Sequence, residues 1–268
     1  MLYLRYPGFL KKAFTMSYDD GVDADKRLVK LMADRRIKGT FNLNSGWLGH
    51  PGRLSNEEVT SIYLDSGMEV AAHGLYHLHI ADLNDPEIIK EVSDDRRNLE
   101  RITGRIVRGM AYAYGEYNES VISGASSCGI VYSRTVRSTH SFGLPPRWME
   151  LNPTCHHNDK ALSDLWERFT AQNPDYSPAL FYLWGHSYEF DNDNNWDMIE
   201  SFLDKAANRD DIWYATNIEI YDYVTAWKNV VTSFDEKAVY NPTAYKLCFV
   251  DSSTGKEHEL APGEAINL

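Results

Sequence analysis

The chain is poor in several features that mark particular protein classes. It has three cysteines in 268 residues. Cys128, Cys155 and Cys248 are far apart and odd in number, which argues against both a disulfide framework and a Cys-x-x-Cys metal knuckle. Lysine and arginine number 27 against 39 acidic residues, giving a net charge of −12, so the phosphate backbone of a nucleic acid would be repelled. We therefore expect buried thiols and no nucleic-acid partner.

Long apolar runs are also lacking. No stretch approaches the roughly 20 apolar residues that a membrane-spanning helix requires, so we expect no membrane partner. The first seven residues do not show a basic region followed by an apolar one, so no signal peptide is predicted. The default expectation is a cytoplasmic protein, with a processed secreted form as the alternative. The sequence leaves the oligomeric state open.

Aromatic residues, by contrast, are abundant. They make up 13% of the chain, with 17 Tyr and 7 Trp. Aromatic rings exposed in a groove can stack on sugar faces, although most aromatic side chains pack inside a fold. Trp47 and Trp148 are candidates for lining such a groove, and packing in the core or at its rim is the alternative for both.

The apolar pattern changes period repeatedly, in a strand–helix–strand order. Helical patterns separate most of the predicted strands, and this order favours parallel βαβ units in a barrel or a doubly wound sheet. From about Ser233 the pattern becomes alternating and predicts a small β appendage of two to four strands. We therefore divide the chain into an α/β domain, residues 1–232, and a β appendage packed on it, residues 233–268. The seven predicted strands are Ala13–Tyr18, Gly39–Asn44, Met68–Ala72, Val107–Tyr112, Ile130–Arg134, Ala179–Trp184 and Ile212–Ala215.

Polar residues follow several of these strands, where catalytic groups of parallel α/β folds are found. Asp19 and Asp20 follow the first strand, and His73 and His77 follow the third. Helical spacing would direct both imidazoles to one side, whereas helix capping is the simpler explanation of the Asp pair. Together a carboxylate and two histidines form an O/N/N ligand set that leaves a coordination position open for water. The sequence thus predicts a catalytic metal site.

Four motifs resemble those of the polysaccharide deacetylases, the fourth carbohydrate esterase family with its NodB-type domain. The similarity runs from about Ala13 to Trp227 and implies a distorted seven-stranded (β/α) barrel. It also implies a hydrolase that uses one divalent metal. Mixed Asp/His ligation suits Zn²⁺, with Co²⁺, Ni²⁺ or Fe²⁺ as alternatives. The motifs are Ser17-Tyr18-Asp19-Asp20-Gly21, His73-x-x-x-His77, Tyr112-Ala113-Tyr114-Gly115 and Leu183-Trp184-Gly185-His186.

The resemblance also implies a role for each matching residue. Asp19 would be the general base, and Asp20, His73 and His77 would hold the metal. The backbone N–H of Tyr114 would donate to the oxyanion. In the last motif, His186 would be the general acid, and Trp184 would contact the substrate.

Two features of the family are missing. The third motif normally carries an Arg that orients the catalytic Asp, and a Pro, but Ala111 and Ala113 stand at these positions. The Asp-containing fourth motif that supports the acid His is also absent. We expect a carboxylate or carbonyl from the irregular stretch Thr135–Asn158, or a water, to replace it. His156 and His157 in that stretch are interpreted as surface or supporting residues. The remaining histidines, interpreted as solvated or structural, are His50, His79, His140 and His258.

These inferences predict an enzyme that removes an acyl group, acetyl by expectation, from a carbohydrate such as an N-acetylated amino sugar. A metal amidohydrolase acting on a small non-sugar amide is the first alternative. The second is a carbohydrate-binding relative that has lost catalysis, which the missing Arg would favour. An open cleft with exposed aromatic residues would favour the carbohydrate, and a closed cleft would favour the small amide.

Overall fold

The computed structural model describes residues 1–268, which form fourteen β-strands and eight α-helices. The strands are β1 (Leu2–Arg5), β2 (Lys12–Asp19), β3 (Gly39–Leu43), β4 (Glu69–Ala72), β5 (Gly109–Ala111), β6 (Tyr132–Arg134), β7 (Cys155–His156), β8 (Ala179–Gly185), β9 (Ile212–Tyr214), β10 (Val231–Thr232), β11 (Ala238–Tyr240), β12 (Leu247–Asp251), β13 (Lys256–Leu260) and β14 (Ala265–Asn267). The helices are α1 (Asp25–Asp34), α2 (Asn56–Val59), α3 (Asp85–Thr103), α4 (Glu119–Ser127), α5 (Leu162–Ala171), α6 (Tyr188–Asn192), α7 (Trp196–Ala206) and α8 (Asn217–Lys228).

The main sheet is parallel throughout and confirms the predicted distorted barrel. Its strands follow the order β6-β5-β4-β3-β2-β8-β7, and β9 pairs with the first half of β2. All seven predicted strands are present. The two-residue strand β7, within the predicted irregular stretch, is an addition to them. Because the strands run in one direction, their carboxyl ends meet on one side of the barrel, where catalytic groups of such folds gather.

The segment between β6 and β7 connects the two ends of this strand path. Leu151 forms a parallel bridge with Arg134 at the end of β6. Four residues later, Cys155 pairs with Leu183 of β8. The stretch predicted to be irregular therefore lies between the edges of the sheet and brings them together. The stretch is long because it crosses from one edge of the sheet to the other. A functional loop is therefore not the only explanation of its length.

Local signals set the helix boundaries near the site. The pattern Ser55-Asn56-Glu57-Glu58 predicts a capping box, and Ser55 caps α2 in one with Glu58. The pair Asp85-Pro86 predicts a long helix that is capped by Asp85 and stops at Gly104. The capping residue of α3 is instead Asn84, paired with Glu87. The helix does end at Gly104, which adopts the left-handed conformation with φ 64°. These caps fix the helices that follow β3 and β4.

Strand β2 lies at the centre of the sheet and carries the Asp pair at its end. All eight of its residues are buried. Phe14 on this strand packs against Trp166 and Phe181, with ring centroids 5.2 and 5.9 Å apart. Burying large aromatic side chains contributes about 2–3 kcal/mol each in apolar transfer. The carboxyl end of β2 is thus a rigid position for functional side chains.

Two small antiparallel sheets lie outside the barrel, where the β appendage is predicted. One contains β1, β12 and β13, and the other contains β10, β11 and β14. The chain's first strand therefore pairs with the C-terminal region, since Leu4 of β1 is in register with Phe249 of β12. The division into domains at residue 233 stays a prediction. None of the helices combines the length and apolarity needed to cross a membrane.

Candidate metal centre and active site

The ends of parallel strands bring the predicted ligands together. Asp20 directly follows β2, and His73 directly follows β4. One ligand atom each from Asp20, His73 and His77 lies within 4.8 Å of the others. Both His Nε2 atoms are 3.8 Å from Asp20 Oδ1. Three ligands at such spacings surround a common point that a small divalent cation can fill.

The donor atoms of this set fit a metal better than they fit each other. Asp20 Oδ1 and His73 Nε2 are buried, and neither has a hydrogen-bond partner. Buried polar atoms are nearly always paired, so two orphans that face each other need an explanation. Carboxylate oxygen and imidazole nitrogen are both ligands for Zn²⁺ and similar ions. A divalent cation at this position would satisfy both atoms.

The protonation of the two imidazoles also suits a ligand role. His73 Nδ1 lies 2.8 Å from the carbonyl oxygen of Ala111. A carbonyl can only accept, so Nδ1 carries the proton and Nε2 keeps a free lone pair. Burial and the neighbouring His73 lower the pKa of His77. Both histidines are therefore suited to bind as neutral imidazoles.

The segment between these histidines is not helical, contrary to the geometry considered from their spacing. Gly74 and His77 both have left-handed backbone conformations, with φ 81° and 57°. The imidazoles nevertheless approach each other, with ring centroids 4.8 Å apart. An irregular loop, and not one face of a helix, brings the two rings together.

Asp19 is buried and held by two donors from other strands of the barrel. The amide of Asn42, on β3, donates to Asp19 Oδ1 at 2.8 Å. The guanidinium of Arg134, at the end of β6, donates to Asp19 Oδ2. Arg134 thus makes the contact with Asp19 that the resemblance assigns to an Arg of the third motif. Ala111 stands at that motif position in this chain. The sequence analysis missed it, although an Arg ending the predicted strand Ile130–Arg134 was a usable signal.

The charges around Asp19 determine its ionisation. Burial acts to raise the pKa of Asp19, but Arg134, His73 and the other donors outweigh it, so the pKa lies below its ordinary value. The carboxylate is therefore ionised at neutral pH. Its position and charge allow it to accept a proton from a nearby water.

Trp184 and Tyr114, the predicted substrate contacts, have different surroundings. Trp184 is only 8% exposed, and the guanidinium carbon of Arg134 lies 4.4 Å from the centroid of its ring. Its visible role is to cover Arg134, and substrate contact stays a prediction. Tyr114 is 53% exposed and has φ 56°. The turn around it is closed by the N–H groups of Gly115 and Glu116, which donate to the carbonyls of Tyr112 and Ala113, and its ring lies 4.3 Å from that of His77.

His186 directly follows β8 and faces two carboxylates. Its Nε2 lies 3.7 Å from Asp19 Oδ2, and its Nδ1 lies 3.4 Å from Glu189 Oε1. The expectation that a group from Thr135–Asn158 supports this ring directly is wrong, because the carboxylate comes from the first turn of α6. His186 is also beside Asp19 and not on the opposite side of the site. Burial acts to lower the pKa of His186, but Glu189 and Asp19 raise it above its ordinary value.

His156 and His157 both contact Glu189 and are not surface residues. Their Nε2 atoms lie 3.1 and 3.2 Å from Glu189 Oε2. The N–H of Asn158 donates to His156 Nδ1, so a neutral His156 carries its proton on Nε2 and cannot ligate a metal there. Burial acts to raise the pKa of Glu189, but these imidazoles hold it well below its usual range. Thr135–Asn158 therefore supports His186 only indirectly, through Glu189.

The remaining candidates lie outside this centre. Trp47 is 39% exposed, and its indole N–H donates to the carbonyl of Tyr76. Trp148 packs edge-on against Tyr221 with centroids 5.2 Å apart. His50, His79 and His140 are exposed, and His258 stacks on Phe249.

Comparisons with known proteins agree with this arrangement. A family model described as polysaccharide deacetylase matches residues 8–133. A search of curated proteins finds no match. A candidate polysaccharide deacetylase from Mycobacterium smegmatis has 17% identity and a TM-score of 0.63, with 84% of this chain and 94% of that chain covered. A CE4-family pseudoenzyme from Bacillus anthracis has 18% identity and a TM-score of 0.50, with 81% and 67% covered.

The chain spans only about half the length of some solved relatives. It covers 55% of the Streptococcus pyogenes deacetylase PplD, with 18% identity and a TM-score of 0.44 over 46% of this chain. At these identities the solved structures support the fold alone. The family model adds the relationship in sequence. Over residues 8–133, which contain the first three motifs, the resemblance is confirmed: this part of the chain matches the polysaccharide deacetylase family.

Proposed function

We propose that this protein is a metal-dependent deacetylase that removes an acetyl group from an N-acetylated amino sugar. The observation that carries the proposal is the convergence of Asp20, His73 and His77, with two buried donor atoms that lack partners. Bound there, Zn²⁺ or a similar cation would polarise the substrate carbonyl and acidify a water molecule. The family relationship makes deacetylation the favoured reaction class.

The other residues supply proton transfer and charge stabilisation. Asp19 takes the proton of the attacking water, because it is ionised and fixed by Arg134 and Asn42. The backbone N–H of Tyr114 donates to the oxygen that becomes negative as the carbonyl turns tetrahedral. His186, whose pKa lies above its ordinary value despite burial because Glu189 and Asp19 favour its charged form, gives a proton to the leaving amine. After the amine has left, Asp19 holds the proton taken from water and His186 has lost one. Asp19 Oδ2 and His186 Nε2 are 3.7 Å apart, so a small movement lets the proton pass from Asp19 to His186.

The surroundings of the centre favour a carbohydrate over a small amide. Three aromatic side chains on or next to the loop that carries His73 and His77 are exposed: Trp47 by 39%, Tyr76 by 47% and Tyr114 by 53%. Trp47 and Tyr76 meet edge to face at 5.8 Å, and Tyr114 adjoins His77. Exposed aromatic faces on an open rim suit sugar rings, whose C–H faces are apolar. A small amide would instead favour a closed pocket.

Metal analysis combined with an acetate-release assay tests the proposal. The purified protein should bind one equivalent of Zn²⁺ and release acetate from chitooligosaccharide, with acetylxylan as the ester comparison. Chelation should abolish release, and added Zn²⁺ should restore it. Asp20→Ala should lose both metal and turnover. Asp19→Asn should retain metal, while turnover falls about 10²–10⁴-fold through loss of the base.

A control variant gives the negative outcomes a clear meaning. Asp65→Asn, at an exposed carboxylate outside the site, should change neither metal content nor rate. Unchanged turnover in Asp19→Asn would place the base elsewhere. Zn²⁺ binding without acetate release from either substrate would favour a carbohydrate-binding relative. Failure of the wild type to bind Zn²⁺ would overturn the proposal.

A further inference from the structure

Helix α3 presents two buried carboxylates to the loop that carries the metal-binding histidines. Glu91 is 5% exposed and Asp95 is fully buried. A spacing of four residues places both on one face of the helix. Burying carboxylates is costly unless donors surround them. The groups that donate hydrogen bonds to Glu91 and Asp95 therefore indicate the role of these carboxylates.

Those donors are backbone N–H groups of the metal-site loops. Asp95 accepts from the N–H of His73 at 3.0 Å and from that of Ser45 at 2.8 Å. The N–H of His73 is shared with the carbonyl of Leu43, also at 3.0 Å. Glu91 Oε1 accepts from the N–H of Tyr76 at 2.7 Å. One helix face thus fixes the backbone at the first ligand and next to the second.

The carbonyl groups of the same loop are also held from outside. The amide of Asn44 donates to the carbonyls of His73 and Gly74, each at 2.8 Å. The N–H of Leu75 donates to the main-chain oxygen of Glu91. The loop includes left-handed conformations at Gly74 and His77, which a free chain would seldom adopt together. Its shape therefore depends on partners outside the loop.

We infer that Asp95 and Glu91 are positioning residues for the metal centre, an inference that rests on the proposed function. Asp95 ties the loop after β4 to the loop after β3, and Glu91 holds the backbone N–H beside His77. When ionised, each carboxylate is an acceptor only, and it can then satisfy N–H groups that an amide would partly oppose with its own donors. Removing this support lets the two Nε2 atoms move apart and weakens metal binding.

Asp95→Asn and Glu91→Gln test the inference, with Asp94→Asn as the matched control on the same helix. Asp94 is a surface partner of Lys90 and Arg97 and makes no contact with the loop. Zn²⁺ affinity is measured by competition with a chromophoric chelator, and the Co²⁺-loaded proteins are compared by visible absorption. Unfolding of the metal-free proteins in urea reports on the fold. Glu91→Gln, which leaves Asp95 in place, keeps the test available if Asp95→Asn fails to fold.

We expect Zn²⁺ affinity to fall about 10–100-fold in both variants and to stay unchanged in Asp94→Asn. The Co²⁺ spectrum should change in band position or intensity, because the ligand geometry is altered. Unchanged affinity and spectrum in the variants, with or without reduced stability of the metal-free form, would overturn the inference. Absence of Zn²⁺ binding in the wild type would instead contradict the proposed function, so the two failures are distinguishable.

Discussion

Arg134 donates a hydrogen bond to the carboxylate of Asp19 across 115 positions of sequence, and both side chains are almost completely excluded from solvent. The two strands that carry them are separated in the sheet by β5, β4 and β3, and the closure of the barrel brings their ends together. Trp184 covers the guanidinium on one face. The positive charge of Arg134 therefore balances the carboxylate of Asp19 and is shielded from solvent.

Replacing Arg134 by Ala should strongly destabilise the protein. The change leaves the buried carboxylate of Asp19 without its cation, and breaking a buried pair in this way costs about 3–5 kcal/mol. The free energy of unfolding in urea measures the loss. Arg147→Ala is the control, because its ion pair with Glu119 is exposed and should contribute about 1 kcal/mol or less. Equal losses in the two variants would contradict the structural importance of the Arg134–Asp19 pair.

The four motif segments could be predicted because each is local. A strand followed directly by Asp19-Asp20, or by His73, places those residues at the carboxyl edge without knowledge of the rest of the fold. The strands themselves follow from buried apolar runs such as Ala13–Tyr18. The caps at Ser55 and Gly104 are equally local, and the structure confirms both.

Arg134 and Glu189 were missed for different reasons. The Arg134–Asp19 contact depends on how the sheet closes, which no spacing in the sequence reveals. Glu189 follows His186 by three residues, and the first turn of α6 places it against the ring. A spacing of three before a helix was a readable signal, but the search for a replacement of the family's Asp was directed at Thr135–Asn158. Glu189, the group that supports His186, is therefore close to it in sequence. His156 and His157, which contact Glu189, are distant in sequence.

Removing the imidazole of His186 should slow amide substrates more than activated aryl esters. An amine leaves only after it is protonated, whereas an aryl oxide departs without a proton. We expect kcat of His186→Ala to fall about 10²–10⁴-fold on the N-acetyl substrate and much less on an aryl acetate. Steady-state kinetics on both substrates with the same enzyme preparation measure the difference. Equal losses on the two substrates would indicate a binding role for His186.

Replacing Glu189 by Gln should shift the pH dependence of the reaction. Burial opposes protonation of His186, and Glu189 and Asp19 overcome it to raise the pKa. An acid must be protonated to act, so activity falls as the pH rises through this pKa. Gln carries no charge, and the alkaline limb of kcat should therefore move to lower pH by about one unit or more. Glu119→Gln, at an exposed pair, should leave the profile unchanged, and an unmoved limb in Glu189→Gln would exclude this role.

The stability of the folded chain should depend on pH through His157. Burial lowers the pKa of His157 to about 4, whereas an unfolded chain has an imidazole pKa of about 6.5. Between these values the unfolded state binds a proton at this residue that the folded state does not, so the contribution of His157 to stability falls as the pH is lowered through this window. Between pH 7 and pH 5 this contribution should fall by about 2 kcal/mol, at 1.36 kcal/mol per unit below 6.5.

Urea unfolding of the wild type and His157→Gln at pH 7 and pH 5 measures this contribution. The ring of His157 stacks on Tyr18, and its Nδ1 lies 3.2 Å from the Tyr18 hydroxyl, so the variant should be less stable at both pH values. On going from pH 7 to pH 5 the wild type should nevertheless lose stability relative to this variant, because Gln does not titrate. His50→Gln, at an exposed position, should keep the full pH dependence of the wild type. If His157→Gln also keeps it, the proton uptake lies elsewhere, and the buried neutral state of His157 is not what limits stability in acid.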